Sequence, residues 1–281
     1  ATRKSKALIN YGASVSWPFE RFKALDKYKV GLVKLHKKTL SGESNIGGLF
    51  EIIGPSYADN LSQDEMNLTL RNIKVSLEDG GIGIGVPIGY LPKTNPDEMF
   101  RVFKLAGELD ALVYSHVREP NILAIQEVVA NATLTGAPLH IVHINSMSLG
   151  KIQFALDMVE FANRKGFDIT AELYPYTAGS TLINTAVFDE GWKEKLGMDY
   201  GDLQWVNTGE RLTEETFNDY RKKGGTVILH MMKPEWIKTG IAYPNTIIAS
   251  DGMPYARLAH PRTAGTFSRL LGKYVKRRKG Y

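Results

Sequence analysis

Thr246-Ile-Ile-Ala-Ser-Asp-Gly-Met-Pro254 decides how this chain is read. A short apolar run of β character ends on the carboxylate of Asp251 and turns at Gly252. That pattern puts an acid at the carboxyl end of a strand, which is the catalytic face in barrels of alternating strands and helices. An Asp there can bind a metal, take a proton from water, or cap a turn. The neighbouring motifs have to choose among these.

Working outward, short apolar runs alternate with amphipathic stretches. Candidate strands are Ala7–Ala13, Ile82–Val86, Ala111–Ser115, Leu139–Ile144, Ile169–Leu173, Thr226–Leu229 and Thr246–Ala249. Helix signals lie between them. Ser62-Gln-Asp-Glu65 is a capping box ahead of a helix that stops at Gly80. Asn95-Pro96-Asp97-Glu98 supplies a cap, a first-turn proline and two first-turn acids. Leu149–Lys165 has helical spacing and ends at Gly166. Repeated strand–helix units predict a parallel sheet wrapped by helices, with a strand count near the eight of a closed barrel. The polar segment 182–223, which carries Trp192 and Trp205, breaks the rhythm and reads as a lid insertion or a surface elaboration.

The chain has 281 residues, a net charge of +5 and no cysteine, so disulfides and thiolate zinc sites are excluded. Basic clusters at Arg3-Lys4-Ser5-Lys6 and at Lys273, Lys276, Arg277, Arg278 and Lys279 read as solvated ends rather than nucleic-acid or membrane contacts. No apolar run reaches the roughly 18 residues of a membrane span. Gly80-Gly-Ile-Gly-Ile-Gly85 does not precede a helix as a dinucleotide fingerprint does, and reads as a helix stop plus a close-packed strand.

Four of the six histidines, His116, His143, His230 and His260, fall at or just beyond strand ends or in the loop after Asp251. Positions three apart on a strand face opposite sides, so His140 and His143 cannot both point inward, and His143 lies nearer the carboxyl end. Imidazole and carboxylate at strand ends are the usual set for a hydrolytic metal centre. Arg118 and Arg262 follow His116 and His260 by two residues; each can hold a carboxylate in a fork, or serve a structural ion pair. In Tyr174-Pro-Tyr-Thr-Ala-Gly-Ser-Thr181 the phenols of Tyr174 and Tyr176 can donate to an oxyanion or a substrate carboxylate, and Ser180 sits in an anion-friendly turn.

Together these stretches resemble the amidohydrolase superfamily, in its D-aminoacylase (N-acyl-D-amino-acid deacylase) branch. The matching segments are Gly83–Pro92, Tyr114-Ser-His-Val-Arg118, Ile141-Val-His-Ile144 followed by Gly150-Lys151, Tyr174–Thr181, Ala249-Ser-Asp-Gly252 and, most specifically, His260-Pro-Arg-Thr-Ala-Gly-Thr-Phe-Ser-Arg-Leu-Leu-Gly-Lys-Tyr274. The resemblance implies an α/β fold of the TIM-type (β/α)8 class. Here it would be incomplete, a single partial barrel over 1–281 without the opening His-x-His strand or the accessory β-sandwich. It implies hydrolysis of N-acyl-D-amino acids by a metal-bound water, with one or two zinc ions in the full-length enzyme and weak or no metal in this stretch alone. His143 would be a metal ligand and Asp251 the proton shuttle. Arg262 would hold the substrate α-carboxylate, with His116 and Arg118 on the metal or at the rim. Tyr174 or Tyr176 would replace a further histidine or touch substrate.

The rival readings are a cyclic amidase of dihydroorotase or hydantoinase type and a non-catalytic barrel fragment or interaction module. The expected partner is a small N-acyl amino acid, with neither nucleic acid nor membrane, and the expected location is the cytoplasm.

Overall fold

The structure, a computed structural model, describes residues 12–40, 59–252 and 265–275. The chain divides into two compact units, Ala1–Ser115 with Asn131–Leu139, and His116–Ala130 with His140–Tyr281.

Among the described residues the first unit begins with β1 (Val15–Ser16) and α1 (Trp17–Ala24), then α2 (Lys29–Leu40). Ser16 caps α1 by accepting the Phe19 amide, and Pro18 occupies the first turn where no amide partner is needed. Next come α3 (Gln63–Glu78), β2 (Ile84–Pro87), α4 (Pro96–Glu108) and β3 (Val113–His116), whose last residue belongs to the second unit. The expected capping box at Ser62 and Glu65 is present, and so is the Asn95 cap on α4. β1 and β2 pair in parallel, Val15 opposite Ile84, and the Ile84 amide donates to the Leu112 carbonyl at 2.8 Å beside β3. The glycine run serves this geometry. Gly80 takes φ +105 just after α3, and a Cβ at Gly83 would lie 2.3 Å from the Leu112 carbonyl oxygen. Only glycine permits that approach.

Trp17, Phe22, Ile73, Met99, Val102 and Phe103 are fully buried in this unit. Among them Arg21 donates through Nε to Glu98 at 2.9 Å, and the Trp17 indole donates to the same carboxylate oxygen at 3.0 Å. Burial pushes the Glu98 carboxyl up, against the pull of Arg21 and then of Trp17.

The second unit takes the Ile122–Ala130 part of α5 (Ile122–Thr135), then the His140–Ile141 part of β4 (Leu139–Ile141), α6 (Ile144–Ser148), α7 (Ile152–Arg164) and β5 (Ile169–Leu173). A small antiparallel body follows, made of β6 (Gly179–Leu182), α8 (Trp192–Leu196), β7 (Leu203–Trp205), α9 (Glu214–Lys223) and β8 (Thr226–Leu229). The chain then returns through α10 (Pro234–Ala242) to β9 (Ile247–Ile248), with α11 (Thr266–Arg269) running into a π-helical stretch at Leu270–Val275. β5 pairs with β9 in parallel, Glu172 opposite Ile247 and Leu173 opposite Ile248. α7 packs on β5, and α10 on α7. This is the alternating α/β pattern the sequence predicts.

Two expectations need correction. Thr226–Leu229 is not part of the parallel array; it is the central strand of the antiparallel sheet, in the order β6-β8-β7. An apolar run reveals burial but not its pairing partner. The strand expected over Leu139–Ile144 ends at Ile141, because His143 adopts a left-handed conformation (φ 35°) and Ile144 begins a helix. Among the described residues the first strand is Val15–Ser16; most of the expected Ala7–Ala13 strand, residues 7–11, lies outside the described residues.

The antiparallel body has a core of its own. Ile183, Phe188, Trp192, Leu203, Phe217 and Val227 are among its buried members, and the Trp192 ring stacks on Phe217 at 5.2 Å. Arg221 fastens its opening loop by donating to the Ile183 and Thr185 carbonyls at 2.8 and 2.7 Å.

Candidate active site

Within the second unit, the strand ends deliver side chains to one place. His116 ends β3, His143 follows β4, Tyr174 follows β5, and Asp251 follows β9. The Ala249 amide still bonds the Leu173 carbonyl at 3.0 Å, so Tyr174 and Asp251 leave neighbouring parallel strands at the same end.

The His116 and His143 rings meet edge to face, centroids 4.6 Å apart and planes 86° apart. Tyr174 lies against His143, with centroids at 6.4 Å. Nδ1 of His116 bonds the Val117 carbonyl oxygen at 2.9 Å, and Nδ1 of His143 bonds the Ser146 hydroxyl at 3.0 Å. The protein packed around His116, and then the charge of His143, push the His116 pKa down to about 4, although the charge of Asp251 acts in the opposite sense. His116 is therefore neutral at physiological pH, the form in which imidazole binds metal.

His143 and Asp251 share a backbone peculiarity. Their φ values are 35° and 47°, in the left-handed region that non-glycine residues seldom enter. His and Asp are among the types that tolerate it best, and such strain clusters at functional sites.

The remaining candidates divide. The Ser180 hydroxyl is buried and makes no hydrogen bond. Tyr176 is half-buried beside α11, where its phenol accepts from the Thr266 hydroxyl at 3.3 Å. Arg118 gives both arms of its fork to Glu127, at 2.9 and 2.5 Å. His140 bonds Thr170 at 2.8 Å and faces Glu172 at 3.2 Å, as the alternation along the strand requires. His230 follows the last residue of β8 in the antiparallel body, where its side chain pairs with Gln204 at 3.0 Å. His260 and Arg262 lie outside the described residues.

Ser146, Asn145 and Glu127 also border the site, and no sequence motif marks them. Ser146 and Asn145 follow His143 within one helical turn, which is the only signal that could have marked them.

The donor set suits a metal in part. Each imidazole is held at Nδ1 by a protein oxygen, which directs the opposite nitrogen as a ligand. Among the described residues no group of three or more His, Asp or Glu side chains is close enough to hold a metal ion unaided. The two histidines fit as members of a larger ligand set.

No protein-family model matches the chain. The D-aminoacylase of Alcaligenes xylosoxydans xylosoxydans is 24% identical over 280 residues, covering 93% of this chain and 56% of that protein. The N-acyl-D-glutamate deacylase of the same organism is 23% identical, covering 76% and 47%. Among solved structures, the N-acyl-D-glutamate deacylase of Bordetella bronchiseptica, complexed with zinc and a phosphonate inhibitor, matches with a TM-score of 0.68 and 22% identity over 79% of this chain and 50% of that one. A D-aminoacylase structure described as defining a novel subset of amidohydrolases matches at 0.66 and 22%, over 81% and 51%. The chain shares the fold of these amidohydrolases and spans about half the length of the curated relatives it matches.

Proposed function

We propose that this chain supplies catalytic groups of a metal-dependent hydrolase that cleaves the amide bond of N-acyl-D-amino acids. The observation that carries the reading is the convergence of His116, His143 and the Asp251 charge at the carboxyl ends of strands, in a chain similar to D-aminoacylases and to an N-acyl-D-glutamate deacylase.

His116 and His143 would hold the metal together with ligands from outside this pair. A bound zinc ion supplies Lewis acidity toward the scissile carbonyl and toward water. The chain's own residues do the rest. Asp251 takes the proton from the attacking water as its oxygen bonds the acyl carbon. It then delivers that proton to the amide nitrogen as the C–N bond breaks, releasing the acyl group as a carboxylate and the free amino acid. Ser180 and the phenols of Tyr174 and Tyr176 are donors for the substrate, and Arg262 would hold its α-carboxylate. Arg118 joins this set only by exchanging Glu127 for a substrate carboxylate.

The test is release of free amine from N-acetyl-D-amino acids by the zinc-loaded full-length protein, beside the L isomers and hydantoins. Preferential turnover of the D isomers is expected. Faster cleavage of hydantoins would overturn the substrate assignment.

A further inference from the structure

The segment after β5 is held at three of its carbonyls. The Tyr174 carbonyl accepts from Asn145 Nδ2 at 3.2 Å, the Pro175 carbonyl from Arg269 Nε at 2.9 Å, and the Thr177 carbonyl from the Met232 amide at 3.1 Å. Two of these donors are unremarkable: Asn145 is a fully buried neighbour of His143, and Met232 lies three residues after β8. The third comes from α11, a helix 94 residues downstream of Pro175.

Arg269 does more than bond one carbonyl. Its guanidinium carbon stands 4.7 Å from the centroid of the Tyr176 ring. One turn earlier on the helix, the Thr266 hydroxyl donates to the Tyr176 phenol at 3.3 Å. The ring is thus fixed at its face by Arg269, at its hydroxyl by Thr266, and at the preceding peptide by Arg269 again. A planar cation can stack on a ring and bond an adjacent carbonyl through Nε at once; an ammonium cannot.

We infer that Arg269 is a positioning residue that sets the orientation of Tyr176 toward the substrate. The inference rests on the reading of Tyr176 as a substrate contact. Arg269 itself touches no reacting atom, so its effect passes through Tyr176 and disappears with that ring. This separates it from Arg262, whose assigned partner is the substrate.

The test is a double-mutant cycle in the zinc-loaded full-length protein, with N-acyl-D-amino acid as substrate. Arg269→Ala is expected to raise KM about tenfold with kcat changed less than about threefold, and Tyr176→Leu to do the same. The double variant should be no worse than either single one. Added guanidinium should lower the KM of R269A but not that of the double variant. Losses that multiply, or rescue that persists without Tyr176, would overturn the inference. Arg269→Lys keeps the charge without the stack and should resemble R269A; it also serves if R269A does not fold. Should the wild-type protein hydrolyse no N-acyl-D-amino acid, the functional reading has failed, and the coupling is then read from the ¹⁵Nε–¹H resonance of Arg269. Its ring-current displacement must vanish in Y176L, and an unchanged resonance would overturn the inference.

Discussion

Arg118 is clamped by Glu127 in a two-pronged ion pair, with both side chains about one-fifth exposed. Arg118 follows His116 by two residues, so the clamp fixes the loop that directly follows a candidate metal ligand. Such half-buried pairs fall between the weak surface bridge and the costly buried one. Glu127→Ala is expected to destabilise the protein by about 1–2 kcal/mol in urea unfolding, and Glu127→Gln by less. An unchanged stability joined to a large rise in KM would instead put Arg118 on the substrate.

The Arg21–Glu98 pair is far deeper, with Arg21 fully buried and Glu98 only 5% exposed. Removing one partner leaves the other charge uncompensated. Arg21→Met alone should cost about 3–5 kcal/mol, whereas the paired change with Glu98→Met should recover most of it. Denaturation midpoints of the three variants decide this; equal losses in the single and double variants would contradict the account.

The antiparallel body should lose order on its own when its core is opened. Trp192 packs on Phe188, Tyr200 and Phe217. Trp192→Ala should cost about 3–5 kcal/mol there. Hydrogen exchange should accelerate at Leu203–Trp205 and Thr226–Leu229 while the amides of Ile169–Leu173 keep their protection. Uniform acceleration through β5 would mean that the body shares one cooperative core with the rest of its unit.

The metal reading separates ligands from the proton carrier. His143→Ala should abolish stoichiometric zinc. Ser146→Ala, which removes the bond to His143 Nδ1, should weaken zinc about 10- to 100-fold, measured by competition with a chelator. Asp251→Asn should retain zinc while kcat falls about 10²- to 10⁴-fold. Near-normal turnover in D251N would remove Asp251 from the proton path.

Much of this was legible because local rules act locally. The Ser62 and Asn95 caps, the Gly80 stop and the alternating burial of Ile169–Leu173 follow from residues within a few positions of one another. The histidines at strand ends were legible for the same reason. Strands β6 and β7 were not. Leu203-Gln-Trp205 is three residues in a polar stretch, and its apolar pair makes sense only opposite Leu229 and Val227. The partners of Arg118 and Arg269 escaped likewise, since nothing near Arg269 in the chain points to a peptide carbonyl at Pro175.

The left-handed turns at His143 and Asp251 set fold and chemistry against each other. A glycine at either position would relieve about 1–2 kcal/mol of backbone strain while deleting a group assigned to the proposed site. Laboratory evolution for heat tolerance alone should therefore drift toward glycine or asparagine at these two positions. Variants recovered that way would outlast the parent at high temperature and do less with its substrate.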